Sequence, residues 1–465
     1  MEEQSQRPIR FQFARRVLQE LGLVSVYNSP LDTKLLILQR FVRLFAYGAS
    51  TLVLVTYLNA LGISDSRVGL FMTLTLIGDV VISFLLTLVT DSFGRRWMLA
   101  LGSLLMSASG VVFGLFSNFW ILLPAAIFGI ISPSGAEIGP FRAIEESTLA
   151  HLTTADIRPD IFAWYSLAGT AGTAFGMITC GWVVHTLQNK ARWGVKSYRT
   201  VFFIYAVIGL LKFFLAISLS PKCEAEKELD SAPNPEDAPL LGEQRAAAKA
   251  PRRRKLFPSI SKKSRGIFVK LAILFGLDSF ASSLASLSWI TNYFRRRFGL
   301  EEGYLGTLFF TTALISAASV LAASSIARRI GNVKTMVFTH LPSSIALGLL
   351  GIPDSLPASM ALLVFRACTQ SMDVAPRSAF LAAIMLPNER TAVMGAINVI
   401  KTGAQSIGPI VTGNLVQNHL FWVAFLLAGS LKAIYDISIL GLFMNHESRE
   451  EESEDSGVSN GSTAS

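Results

Sequence analysis

Apolar residues fall along this chain in long runs, each close to the ~20 residues needed to cross a ~30 Å hydrocarbon core, with charged or Gly/Pro-bearing breaks between them. The runs predict twelve helices, over residues 36–61, 67–90, 97–117, 119–143, 160–187, 199–220, 267–293, 303–327, 333–352, 357–382, 392–416 and 419–444. Six lie on either side of a polar stretch. The pattern therefore predicts an all-α membrane protein of two pseudo-symmetric six-helix bundles, with an N-tail at 1–33, a first bundle at 34–220, a linker at 221–265, a second bundle at 266–444 and a C-tail at 445–465. The N-tail carries Arg7, Arg10, Arg15 and Arg16 without the short apolar run of a secretory signal, so it is expected to stay uncleaved. Its interleaved Phe11, Phe13, Val17, Leu18 and Leu21 fit either the membrane surface or solvent. The linker is rich in Ala, Pro, Glu and Lys and the C-tail in Glu, Asp, Ser and Gly, so both are expected to be disordered.

Composition agrees with the pattern. Only 16% of residues are charged and 51% are hydrophobic, with a mean hydropathy of +0.48, whereas soluble domains carry roughly 25% charged residues. An ordinary soluble enzyme is excluded. The net charge of +9 comes from short basic runs between apolar segments, which points to membrane orientation and not to nucleic acid. Most Lys and Arg fall on the side of the two tails, which are therefore expected in the cytosol. Cys180, Cys223 and Cys368 are too scattered for a disulfide framework or a sulfur-rich metal site. The sequence carries no phosphate-binding loop, nucleophile elbow, dinucleotide fingerprint or HExxH spacing, so neither catalysis nor a cofactor or metal is expected.

The two halves repeat one another. At one constant offset Glu137 falls on Asp373, Pro140 on Pro376 and Gly172 on Gly408, so each half places an acid one turn before a proline late in its fourth helix. Parallel six-helix repeats are a signature of carriers whose halves rock about a central site.

Ionisable groups inside the runs mark that site, because a charge at mid-bilayer costs ~2.5–3.5 kcal/mol on insertion scales. Asp79 and Asp278 lie about twelve residues into their helices, ~16–18 Å deep at ~1.5 Å per residue. Each reads as a proton-coupling group or as half of a salt bridge, Asp79 for instance with Arg43. Arg43 and Tyr47 share a face of span 1 with Arg40, and Arg366 is buried in span 10; their charge suits an anionic solute or a neighbouring carboxylate. Glu137 and Asp373, each beside a carbonyl freed by the following proline, could form a symmetric gate with Arg142 and Arg377, or simply mark packing kinks. Lys401 is a candidate counter-ion to Asp373. Lys432 and Asp436, four residues apart, are expected to neutralise each other, and His340 reads as a satisfied core histidine.

The turn Thr90-Asp91-Ser92-Phe93-Gly94-Arg95-Arg96 resembles the signature loop of the major facilitator superfamily, with Thr87 where the family has its leading glycine. The glycine series Gly169, Gly172, Gly176 and Gly181 resembles that family's fifth helix, and Gly408-Pro409 supplies its Gly-Pro pair in the other half. The blocks Ile131 to Arg142, Thr339 to Pro342 and Gln370 to Arg377 resemble a fungal-type branch of it. The resemblance implies a secondary transporter working by alternating access, with Asp91, Gly94, Arg95 and Arg96 as a conformational latch. The expected partners are a small organic or anionic solute, co-transported protons and the bilayer, and the chain is expected to act as a monomer. Efflux or vacuolar export is favoured; an uptake carrier and a transporter-like receptor or scaffold are the alternatives. Within the linker, Glu236 with Leu240 and Leu241 resembles an acidic dileucine signal read by sorting adaptors, which favours a vacuolar-type membrane over the plasma membrane.

Overall fold

The computed structural model describes residues 22–129, 131, 140–154, 156–224, 262–384 and 390–461. After a short helix α1 (Leu23–Asn28), the first half comprises α2 (Leu31–Ala60), α3 (Asp65–Phe93), α4 (Arg95–Leu115), α5 (Phe119–Gly129), α6 (Pro140–Leu152), α7 (Arg158–Asn189) and α8 (Gly194–Ile217). The second half comprises α9 (Lys262–Leu284), α10 (Leu287–Phe298), α11 (Glu302–Ile330), α12 (Asn332–Leu349), α13 (Leu356–Thr369), α14 (Val374–Ile384), α15 (Arg390–Gln417) and α16 (Phe421–Gly461). Each of the twelve predicted spans is matched by one helix or by two in succession, and eight stretches are individually long and apolar enough to cross a membrane. Leu85, Phe84, Val207, Phe214, Ile273, Leu314 and Ile437 are exposed on the outside of the bundle, where lipid would meet them.

Spans 7 and 10 are each broken in two, which the apolar pattern did not show. In span 4, α6 is described from Pro140 on, and of the residues between it and α5 only Ile131 is described. In span 7 the hydroxyls of Ser282 and Ser283 turn back to the carbonyls of Asp278 and Phe280, competing with the backbone just before the break at Ser286. In span 10 the break at Gln370–Asp373 precedes Pro376, which cannot donate to the carbonyl four residues earlier. A further difference lies at the C-terminus. The helix of span 12 continues to Gly461 across the tail expected to be disordered, because Glu447 to Glu452 are mostly good helix formers attached to an already nucleated helix.

The halves repeat in space. In the first, α2 packs on α7 and α4 on α8; in the second, α9 packs on α15 and α12 on α16. Between them α3 meets α15 and α7 meets α11, the pairing that a two-fold axis between the halves requires. The glycines explain the close approaches. Gly172 and Gly176 face the carbonyls of Phe41 and Phe45, where any Cβ would collide, and Gly181 faces the carbonyl of Glu302 across the interface.

Hydrophobic packing is arranged unequally along the helices. At the end distant from the termini, Leu52, Val53, Tyr57 and Phe71 of the first half and Trp289, Tyr293, Leu305 and Phe425 of the second belong to a single core. At the termini end each half has a core of its own: Leu36, Leu99, Phe141 and Tyr165 in the first, Leu271, Phe275, Val337 and Ile439 in the second.

The predicted linker begins as part of the first bundle. Ser220 donates to Asp32 from its backbone and its hydroxyl, at 2.8 and 2.5 Å, and Cys223 is fully buried after the 3₁₀ turn Pro221–Cys223. Glu224 then accepts from the backbone N–H groups of Arg95 and Arg96 at 2.5 and 3.3 Å, placing a carboxylate at the positive end of α4. Gly94, with φ of +90°, makes the turn that exposes those amides. Arg96 donates to the carbonyl of Ile217 at the end of α8. Thus the turn at Gly94 holds the start of the linker; of the residues expected to form a latch, the side chain of Asp91 lies outside the described residues, as does the segment carrying Glu236, Leu240 and Leu241. Glu224→Ala is expected to lower stability by about 0.5–2 kcal/mol, read as a small fall in melting temperature in detergent, with Glu224→Gln intermediate.

Candidate functional site

Helices α9, α12, α13, α14, α15 and α16 converge in the second half around a cavity of about 340 Å³. The predicted residues Asp278, Asp373, Arg366 and Lys401 all line it, together with Arg377, Lys432, His340, Gln370, Gln405 and several serines. Asp278, 4% exposed, accepts from Lys432 Nζ at 2.6 Å and from Arg377 at 3.3 Å. Arg377 also pairs with Asp373, which sits at the N-terminus of α14. Asp373 is thus occupied by Arg377 and not by Lys401. Lys401 instead stands 5.8 Å from the ring centre of Phe275.

The expected pairing of Lys432 with Asp436 is not what the structure shows. Lys432 turns to Asp278 on α9, while Asp436 meets His340 Nδ1 at 2.8 Å and accepts from Ser344 at 3.0 Å. All of these groups are buried, and partners on facing helices satisfy them better than a neighbour on the same helix could. His340 is accordingly a satisfied core residue.

The first half carries a counterpart. Glu145 on α6, fully buried, accepts from Arg43 at 2.9 Å and from the Tyr165 hydroxyl at 2.7 Å, with Lys212 Nζ at 3.3 Å. Arg40 donates to Tyr165 and stacks over its ring, and Lys212 lies 3.7 Å from the ring centre of Phe141. In both halves, then, the first, fourth and sixth spans contribute to one buried charge cluster. The acid comes from the fourth span in one half and from the first span in the other. Tyr47 is half-buried one turn beyond Arg43 on α2.

Asp79 stands apart. It is 2% exposed on α3, with Arg43 of α2 and Tyr205 of α8 within electrostatic reach and Ser83 one turn on. Among the described residues neither of its oxygens meets a hydrogen-bond partner within bonding distance and geometry. Arg142 donates to Glu146 at 2.7 Å, and Glu137, the other proposed gate residue, lies outside the described residues.

Polar contacts between the halves gather at the far end. Arg296 grips Asp65 with two bonds of 2.8 and 2.7 Å, Tyr198 donates at 2.5 Å to Glu302, itself paired with Arg295, and His185 pairs with Glu301. Ser288 donates to the carbonyl of Thr51 at 2.9 Å, and the amide of Ile410 to Thr73 at 3.1 Å.

Sequence reasoning passed over Glu145 and Lys212. Ending span 4 at residue 143 put Glu145 in a loop. Lys212 was the available signal: it lies inside the apolar run of α8 with no acid within four residues, so its counter-charge had to come from another helix.

The sequence matches the profile of the Major Facilitator Superfamily over residues 36–277 and again over 271–463. An uncharacterized membrane protein of Saccharomyces cerevisiae is 38% identical over 432 residues, 90% of this chain and 95% of that protein. Among solved structures, a D-xylose-proton symporter superposes with a TM-score of 0.67 at 14% identity, over 88% of this chain and 96% of the other. A bacterial homologue of the human lysosomal transporter Spinster, in an inward-facing and unoccupied conformation, gives 0.61 at 14% identity over 88% and 94%. These two likenesses concern the fold.

Proposed function

The chain belongs to the Major Facilitator Superfamily, a family of membrane transporters, and on that premise we propose that it is a secondary carrier moving a small organic or anionic solute by alternating access. The observation that carries this reading is the unequal packing: one core shared by both halves at the far end, and separate cores at the termini end. Rocking about the middle would join the two separate cores and part the shared one, exposing the same central charges to the opposite side. With the tails in the cytosol, as the excess of Lys and Arg on their side favours, the state described here opens to the cytosol. Efflux or sequestration across a vacuolar-type membrane suits that arrangement, with the dileucine segment of the linker as its sorting signal and the chain acting alone.

We assign proton coupling to Asp79 in preference to Asp278. Asp278 is held by two cations, and a proton could reach it only by breaking those bonds. Asp79, buried with Ser83 one turn on and Arg43 within electrostatic reach, can gain or lose a proton without dismantling an ion pair of the kind that holds Asp278. That the fold's likeness includes a proton symporter is in keeping with such coupling. Asp79→Asn is expected to keep solute counterflow in proteoliposomes while losing accumulation driven by a pH gradient. Gradient-driven accumulation that survives the substitution would move the role to another acid.

A further inference from the structure

The cavity of the second half has an electrostatic imbalance that its own ion pairs do not remove. Its lining holds four cations, Arg366, Arg377, Lys401 and Lys432, against two acids, Asp278 and Asp373. Arg377 and Lys432 are spent on those acids. Arg366 and Lys401 are not: among the described residues neither has a hydrogen bond or an ion pair with an acid. Arg366 is half-buried on α13, Lys401 half-buried on α15, and both face the same space. Two uncompensated cations in a cleft of low dielectric are costly unless a ligand supplies the charge.

The rest of the lining narrows the ligand. Gln370, Gln405, Ser279, Ser282, Ser343 and Ser371 offer amides and hydroxyls, and among the described residues Val374 is the one aliphatic side chain of the lining and the imidazole of His340, bonded to Asp436, its one ring. The volume, about 340 Å³, is at the small end of ligand cavities. A larger cavity of about 690 Å³ on the far face also contains arginines, Arg296 and Arg297, but these are held by Asp65 and Asp354. Free positive charge is thus concentrated in the smaller, polar cavity.

Resting on the carrier reading above, we propose that the cargo is a small hydrophilic oxyanion with two negative charges, bound in the second half by Arg366 and Lys401. The planar guanidinium of Arg366 takes one carboxylate or phosphate edge in a two-bond fork, Lys401 takes the other charge, and the amides and serines take the remaining oxygens. The lack of apolar lining disfavours lipophilic cations and aromatic drugs.

The test uses the purified full-length chain in detergent at constant ionic strength, with succinate and inorganic phosphate as dianions, and glucose and tetraphenylphosphonium as neutral and lipophilic-cation controls. Either dianion should raise the melting temperature at millimolar concentration, and whichever does so identifies the carboxylate or phosphate class. Arg366→Gln and Lys401→Gln should each weaken that effect at least tenfold, without lowering the melting temperature of the ligand-free protein, since each removes an uncompensated charge. No stabilisation by either dianion, or stabilisation that persists in both variants, overturns the proposal. Counterflow of the same labelled dianion in proteoliposomes separates the two readings. Binding without counterflow keeps the site and removes the carrier function. Counterflow of glucose or tetraphenylphosphonium without dianion binding keeps the carrier and removes the site.

Discussion

Glu145→Ala is expected to be the most damaging single change in the first half, removing about 3–5 kcal/mol of stability. Arg43 and Lys212 both depend on this carboxylate, and Lys212 is fully buried and can reach no water. Deleting the acid removes the carboxylate that faces Lys212, the 2.9 Å bond of Arg43 and the acceptor of the Tyr165 hydroxyl at one stroke. The measurement is the yield of monodisperse protein and its melting temperature in detergent, where the variant should be mostly lost. Lys212→Met supplies the contrast. It removes one of two cations, leaves the 2.9 Å bond from Arg43 to Glu145 in place, and fills the same volume with an apolar side chain, so it should cost less than about 1 kcal/mol or stabilise. Equal damage from the two changes would mean that the site is sensitive to volume and not to charge balance.

The second large effect is expected at the far interface, where α3 and α15 come into backbone contact. A Cβ on Gly69 would sit 2.4 Å from the carbonyl oxygen of Pro409 and 2.9 Å from the Cα of Gly413, and backbone cannot yield as a side chain tip can. Gly69→Leu should therefore disfavour the closed far face by about 1–3 kcal/mol, and ~1.4 kcal/mol already shifts the balance tenfold. The readout is labelling of Thr73→Cys, at the same interface, by a membrane-impermeant maleimide added from the far side. The labelling rate should rise about tenfold or more while flux falls to background. Gly441→Leu, at a position with no atom within 4 Å, is the control expected to change neither. Unchanged labelling in Gly69→Leu would show that the halves part elsewhere.

Much of the architecture was legible because bilayer thickness sets a length that the apolar runs must meet, and twelve such runs with a polar interruption leave little freedom of arrangement. The four charged residues Asp278, Arg366, Asp373 and Lys401 were likewise picked out by their cost inside those runs, and they do share one cavity. What hydropathy could not give was pairing across helices. Asp79 and Arg43 are neighbours in electrostatic terms, yet the guanidinium bonds to Glu145, an acid 102 positions away in sequence. Lys432 passes over Asp436, four residues away, for Asp278, 154 positions away. Choices of this kind depend on helix rotation and on where helices break. Spans 7 and 10 break beside serine hydroxyls and a proline, whose local effect leaves the hydropathy of the run unchanged.

The unequal distribution of cores has a thermodynamic signature. Opening the far end wets apolar groups such as Leu52, Trp289 and Leu305, and closing the termini end withdraws a polar cavity wall from water. Exposure of apolar surface and burial of polar surface both raise heat capacity, whereas burial of apolar surface, where the two termini-end cores meet, lowers it. On the carrier reading, the sign of the heat-capacity difference between the two forms reports which end exchanges the more apolar surface with water, and calorimetry reads that exchange of hydration directly.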